Sequence, residues 1–111
     1  MADSIKVLGQ LSPAATTLST LYTVPSITQT TVSGISICNT GSSPATIRLA
    51  VAVAGAADNV KQYIYYDYVI AAKDTLIVVM GMTLNETDVV KVYASATNVA
   101  FNIFGVETNR E

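Results

Sequence analysis

From Thr46 to Val53 the chain alternates strictly: Ile47, Leu49, Val51 and Val53 are large aliphatics, and the residues between them are Arg and Ala. Successive side chains of a strand point to opposite faces, so this period of two lays one apolar row along a strand. Those four residues are expected to face a core. Dense turn signals bound the run, Asn39-Thr40-Gly41-Ser42-Ser43-Pro44 before it and Ala54-Gly55-Ala56-Ala57-Asp58-Asn59 after it. No window of the chain carries a convincing helical period. A parallel sheet is therefore excluded, because its crossovers need helices.

The rest of the chain repeats the theme. Ile5 to Leu8 is a short apolar opening. Leu18 to Val24 is strand-like and stops at Pro25, which cannot donate to a ladder. Thr31 to Asn39 reads as a strand with Ile35 and Ile37 on one face. Tyr63 to Ile70 and Thr75 to Leu84 are two runs across Ala71-Ala72-Lys73-Asp74, the pattern of a hairpin, and Leu76, Val78, Met80, Met82 and Leu84 share a face of the second run. Val89 to Ser95 and Val99 to Val106 follow. Turn signals every eight to twelve residues or so indicate one antiparallel β-sandwich, jelly-roll-like or immunoglobulin-like, of seven to eight short strands. A chain of 111 residues makes one such domain, spanning 1–111. Residues 1–6 are the stretch that could serve as an arm, and 108–111 read as a short polar tail.

Half of the residues are hydrophobic and 13% are charged, which leaves little charge to cover the outside. That composition favours a protein that hides part of its surface in an assembly. The net charge is −2, and Lys6, Arg48, Lys61, Lys73, Lys91 and Arg110 are scattered singly. No basic stripe exists to release phosphate counterions, so nucleic acid is not an expected partner. The opening residues lack the pattern of a signal peptide and no apolar run is long enough to span a bilayer. The expectation is a protein made in a cytoplasm, with no membrane partner.

There is no histidine and one cysteine. Catalytic triads and Cys-His pairs need an imidazole, and structural zinc needs more Cys and His than this. Neither GxGxxG nor GxxxxGK[ST] occurs. Cys38 follows Ile35-Ser36-Ile37 and reads as a buried, inert thiol. Asp67, Asp74, Glu86, Asp88 and Glu107 are the carboxylates a glycosidase-like pair could use, but most flank turns or strand ends, where acids form turns and keep the chain soluble. Asn85, Glu86 and Asp88 lack the full loop pattern of a calcium site. The expectation is a non-enzyme with no catalytic residues, no cofactor and no metal.

Four tyrosines fall within six residues: Tyr63, Tyr65, Tyr66 and Tyr68. On a regular strand Tyr63, Tyr65 and Asp67 share one face, and Ile64, Tyr66 and Tyr68 share the other. The Ile64 face suits a core, which turns Tyr63, Tyr65 and Asp67 outward as a candidate assembly interface. Ordinary cross-strand aromatic packing accounts for the same spacing, and stacking on sugar rings is the minor variant of the interface reading; it would make the chain a carbohydrate-binding β-sandwich module, against which the absence of tryptophan, the commonest sugar platform, counts. Exposed edge strands could extend pairing between copies.

Several stretches together resemble small virion-associated proteins of tailed bacteriophages. They are Val7-Leu8-Gly9-Gln10, Pro13-Ala14-Ala15-Thr16-Thr17-Leu18, Leu21-Tyr22-Thr23-Val24-Pro25, Ile37-Cys38-Asn39 with Ala45-Thr46-Ile47-Arg48, Asp88 to Ser95, and Phe101 to Glu107. The likeness runs over nearly the whole chain, and its motifs are structural. It implies a homo-oligomeric β-sandwich subunit of the virion, assembled in the host bacterial cytoplasm. Its partner would be the phage major capsid protein, as a capsid decoration (cement) protein, or other virion proteins of the tail, neck, baseplate or fibres.

Overall fold

The computed structural model describes residues 3–109; Met1 and Ala2 of the expected arm, and Arg110 and Glu111 of the expected tail, lie outside the described residues. The described residues form nine strands: β1 (Asp3–Leu11), β2 (Ser19–Thr23), β3 (Thr28–Asn39), β4 (Ala45–Ala52), β5 (Tyr63–Ile70), β6 (Thr75–Val78), β7 (Met82–Leu84), β8 (Val89–Ala94) and β9 (Val99–Asn109). The described residues contain no α-helix, and single 3-10 turns at Val53–Gly55 and Val60–Gln62 interrupt the connection from β4 to β5.

Pairing is antiparallel throughout and nested: β1 with β9, β2 with β8, β3 with β6 and β7, β4 with β5. The chain is thus a long hairpin folded about the 53–62 connection and then rolled up. Two further pairings, β3 with β9 and β4 with β8, join the nested arms into two sheets. One sheet runs β1-β9-β3-β6, with β7 continuing along β3, and the other runs β2-β8-β4-β5. This order selects the jelly roll over the immunoglobulin-like alternative.

The core lies between the sheets. Ile35, Ile37, Phe101 and Ile103 of the five-stranded sheet meet Ile47, Leu49, Val90 and Val92 of the four-stranded one, and none of these is more than 1% exposed. Burying each such side chain contributes about 1.5–3 kcal/mol, which is why alternation fixes the inward face of a strand that carries no bulge.

Several local expectations fail, each for a physical reason. Tyr63–Ile70 and Thr75–Val78 are not a hairpin: the tight turn at 71–74 carries the chain from one sheet to the other, β5 onto β4 and β6 onto β3. The run 75–84 is two strands. Its partner β3 bulges between Val32 and Gly34, and opposite that point residues 79–81 bow out of the ladder, leaving Met80 42% exposed. The row in β4 ends early because the strand stops at Ala52 and Val53 begins a 3-10 turn, where it is 67% exposed, and Val51 is half-buried. Cys38 is half-buried rather than buried, since Ile37 and Asn39 take the inward positions on either side of it. Asp3 to Lys6 pair with Thr108 to Gly105, so these residues are ladder rather than free arm, and Thr108 and Asn109 are ladder rather than tail.

Two polar groups link the sheets at opposite ends of β3. Asn39, fully buried, donates from Nδ2 to the carbonyls of Ser43 (2.9 Å), Ile70 (3.1 Å) and Ala71 (3.3 Å), and its Oδ1 accepts from Gly41 N–H at 3.0 Å. It thereby ties the end of β3 to the turn before β4 and to the 71–74 crossover. At the other end the Tyr22 hydroxyl of β2 donates to Glu107 Oε2 (2.5 Å) and lies 2.8 Å from Thr30 Oγ1, while Lys6 Nζ sits 2.9 Å from Glu107 Oε1. Burial and the bond to Glu107 raise the Tyr22 phenol far above its ordinary pKa. Burial also opposes ionisation of Glu107, but the bonds from Tyr22 and Lys6 outweigh it and hold the carboxyl below its ordinary value.

Gly105 allows β9 to approach β3 closely. A Cβ there would stand 2.2 Å from the Thr31 carbonyl oxygen and 3.0 Å from Val32 Cα, both backbone atoms that cannot swing aside.

Candidate functional site

Arg48 organises the outward face of the four-stranded sheet. It lies between Ile47 and Leu49, whose side chains fill the core, so the pleat turns it away from them. Its cross-strand partner on β8 is Tyr93. The guanidinium carbon sits 4.2 Å from the ring centroid of Tyr93 and 4.2 Å from that of Tyr66 on β5. Asp67 closes the arrangement, accepting from Arg48 Nε at 2.7 Å and Nη2 at 3.4 Å. Each stack on this half-open surface contributes about 0.5–1 kcal/mol and the ion pair about as much, enough together to hold the side chain in one rotamer.

Two irregularities in β5 make this possible. Its register against β4 shifts between Ile47 and Leu49 and again between Leu49 and Ala50, and Asp67 takes φ 51°, a conformation Asp tolerates better than most residues. Each shift adds a residue to β5 and resets the alternation. The face expected to unite Tyr63, Tyr65 and Asp67 is therefore split. Tyr65 packs against the core, with its ring 5.1 Å from that of Tyr68. Tyr63 instead joins Tyr66, edge to face at 4.9 Å and 88°. Asp67 stands at the far side of the Arg48 clamp. The structure brings Tyr63 and Asp67 to one neighbourhood through Arg48 and places Tyr65 elsewhere.

Beside the clamp a recess of about 600 Å³ is lined by Arg48, Asp58, Asn59, Val60, Tyr63 and Tyr66. The connection from β4 to β5 supplies its lip. Asn59 fixes that lip by accepting from Lys61 N–H at 3.2 Å, which caps the Val60–Gln62 turn. Burial first, and the neighbouring Asp58 carboxylate second, raise the Tyr63 phenol above its ordinary pKa. Val60 is 87% exposed and Tyr66 59% exposed at the rim.

A second feature lies on the flank where β5 and β6 are the edge strands of their sheets. Tyr68, Val69, Ile77 and Val79 are all exposed large apolar side chains on or beside these strands. The two edges are held together by the 71–74 turn, and a small shared cavity runs between them from Tyr68 to Leu76.

The carboxylates weighed as catalytic pairs all have hydrogen-bonding work in the fold. Asp74 accepts from Thr75 N–H, Asp88 accepts from Ala54 and Asn85 N–H through its two oxygens, and Glu86 accepts from Ile27 N–H. Asp67 and Glu107 hold Arg48 and Tyr22. Among the described residues no three of His, Cys, Asp and Glu stand where one metal ion could join them. Nor do these residues contain a helix long and apolar enough to cross a membrane.

Arg48, Tyr93 and the Asp58-Asn59-Val60 lip were not singled out by sequence. Arg48 carried a signal, being the one charged residue in an aliphatic alternation. The lip carried none, because its placement depends on where the rolled hairpin turns. No protein-family model matches the chain, and no curated protein matches it.

Proposed function

We propose that this chain is a non-enzymatic structural protein of a tailed-phage virion, a decoration (cement) protein that binds the outside of the head shell as a homo-oligomer. The observation that carries the proposal is the set of exposed apolar side chains around the β5 and β6 edges. Tyr68, Val69, Ile77 and Val79 present large side chains to solvent on a small domain, the kind of surface that marks a contact site. The sequence likeness to virion-associated proteins and the jelly-roll strand order, an arrangement that recurs in viral capsid domains, support the same reading at the level of analogy. On a symmetric shell, shallow apolar contacts repeated around each lattice point add up to firm attachment without any single deep pocket. Of the tyrosines and acid weighed as an interface, Tyr65 packs beside Tyr68 on this flank, while Tyr63 and Asp67 lie at the Arg48 clamp.

Quantitative mass spectrometry of purified virions, scaled to the major capsid protein, tests this. Near-parity or a simple fraction of it is expected. A handful of copies would move the protein to the tail, neck, baseplate or fibres, and absence from the particle would overturn the proposal.

A further inference from the structure

We propose that the recess beside Arg48 is a binding site for an uncharged pyranose, the terminal or internal sugar of a neutral glycan. Its volume of about 600 Å³ falls within the range of small-ligand sites and exceeds what one sugar ring needs. Its walls are of two kinds. Tyr63, Tyr66 and Val60 supply apolar and aromatic surface, suited to the C–H face of a sugar ring. Asp58, Asn59 and Arg48 supply acceptors and donors at the lip, suited to its hydroxyls.

Charge decides against other ligands. Arg48 is the single cation of the lining and is already paired with Asp67, while Asp58 adds a negative charge at the lip. A phosphate or carboxylate would meet no free positive charge there. A cationic ligand would meet the Arg48 guanidinium in the lining and find the face of Tyr66 already taken by it. What remains is a neutral molecule carrying hydroxyls on one side and C–H groups on the other. The site is also pre-organised: Asn59 caps the lip, and the Arg48 clamp holds Tyr66, which packs edge to face with Tyr63. Little ordering entropy is left for a ligand to overcome. The inference is independent of attachment to a particle, since the recess is distinct from the Tyr68, Val69, Ile77 and Val79 side chains.

The test is an amide-resolved NMR titration of the full chain with the methyl glycosides of glucose, galactose, mannose and N-acetylglucosamine, each up to tens of millimolar. At least one should give saturable shifts confined to residues 48, 58–66 and 93. Tyr66→Leu, which keeps apolar bulk beside Arg48 but removes the ring, should weaken that binding roughly tenfold. Asp58→Ala should weaken it as well, with far-UV circular dichroism unchanged in both. Absence of saturable shifts with every sugar would overturn the proposal. So would shifts spread over the β5–β6 flank, or tighter binding of adenosine monophosphate than of any sugar.

Discussion

Replacing Asn39 by alanine removes a side chain that a strand pattern alone would have made aliphatic. Its neighbours in the inward row, Ile35 and Ile37, are fully apolar and fully buried. The cost can be worked from the partners left behind. The Ile70 carbonyl and the Gly41 N–H face Asn39 in buried surroundings, whereas the Ser43 and Ala71 carbonyls lie at the edge of the site. A buried group that loses its partner costs about 1–3 kcal/mol, and groups that water can reach cost much less. Two buried orphans therefore give about 2–6 kcal/mol, with about 4 as the working value. Against a typical domain stability of about 5–15 kcal/mol this is a large fraction. At about 4 °C per kcal/mol the midpoint should fall by about 16 °C. Urea unfolding followed by far-UV circular dichroism at fixed protein concentration reads the loss directly. Asn39→Asp keeps an oxygen for Gly41 but sets a carboxylate against the carbonyls, so at neutral pH it should be at least as damaging as alanine. A loss below about 1 kcal/mol for Asn39→Ala, with an unchanged denaturant slope, would refute the claim that this residue staples the sheets.

Glu107 ties stability to acid. Its folded pKa is depressed, so its contribution is fully present above the ordinary glutamate value of about 4.3 and is lost as pH falls through the lower folded value. The difference in urea midpoint between wild type and Glu107→Gln should accordingly be largest at neutral pH and shrink below about pH 4; a difference that is flat with pH would disprove the assignment. Gly105→Ala should cost about 3 kcal/mol or more because the added methyl meets backbone on β3, and soluble yield with thermal melts will show it.

Alternation made part of this molecule legible. Ile35, Ile37, Ile47 and Leu49 were readable as core because burial on one face of a strand imposes a period of two, and the all-β class followed from the same signal. What alternation cannot carry is which strand lies beside which. The 71–74 turn has the composition of a hairpin turn yet joins two sheets, since the partner of β6 is set by β3, some forty residues earlier in the chain. Periodicity also fails at bulges. Tyr65 and Tyr66 exchange the faces assigned to them because β5 holds extra residues that β4 lacks, and nothing in a run of tyrosines announces where an extra residue sits. The recess was hidden for the same reason: it needs Arg48 of β4, Tyr63 and Tyr66 of β5 and the 58–60 lip in a register visible only once the hairpin is rolled.

The interruptions in β5 and in the β6–β7 edge also bear on how this protein behaves when crowded. A long, flat strand at the border of a sheet is a template on which further chains can stack without limit, as in amyloid. Here one border is kinked at Asp67 and the other breaks at 79–81, so a neighbouring backbone could follow either for only a few residues before losing register. The flank where β5 and β6 expose apolar side chains is thus poorly suited to seeding fibres.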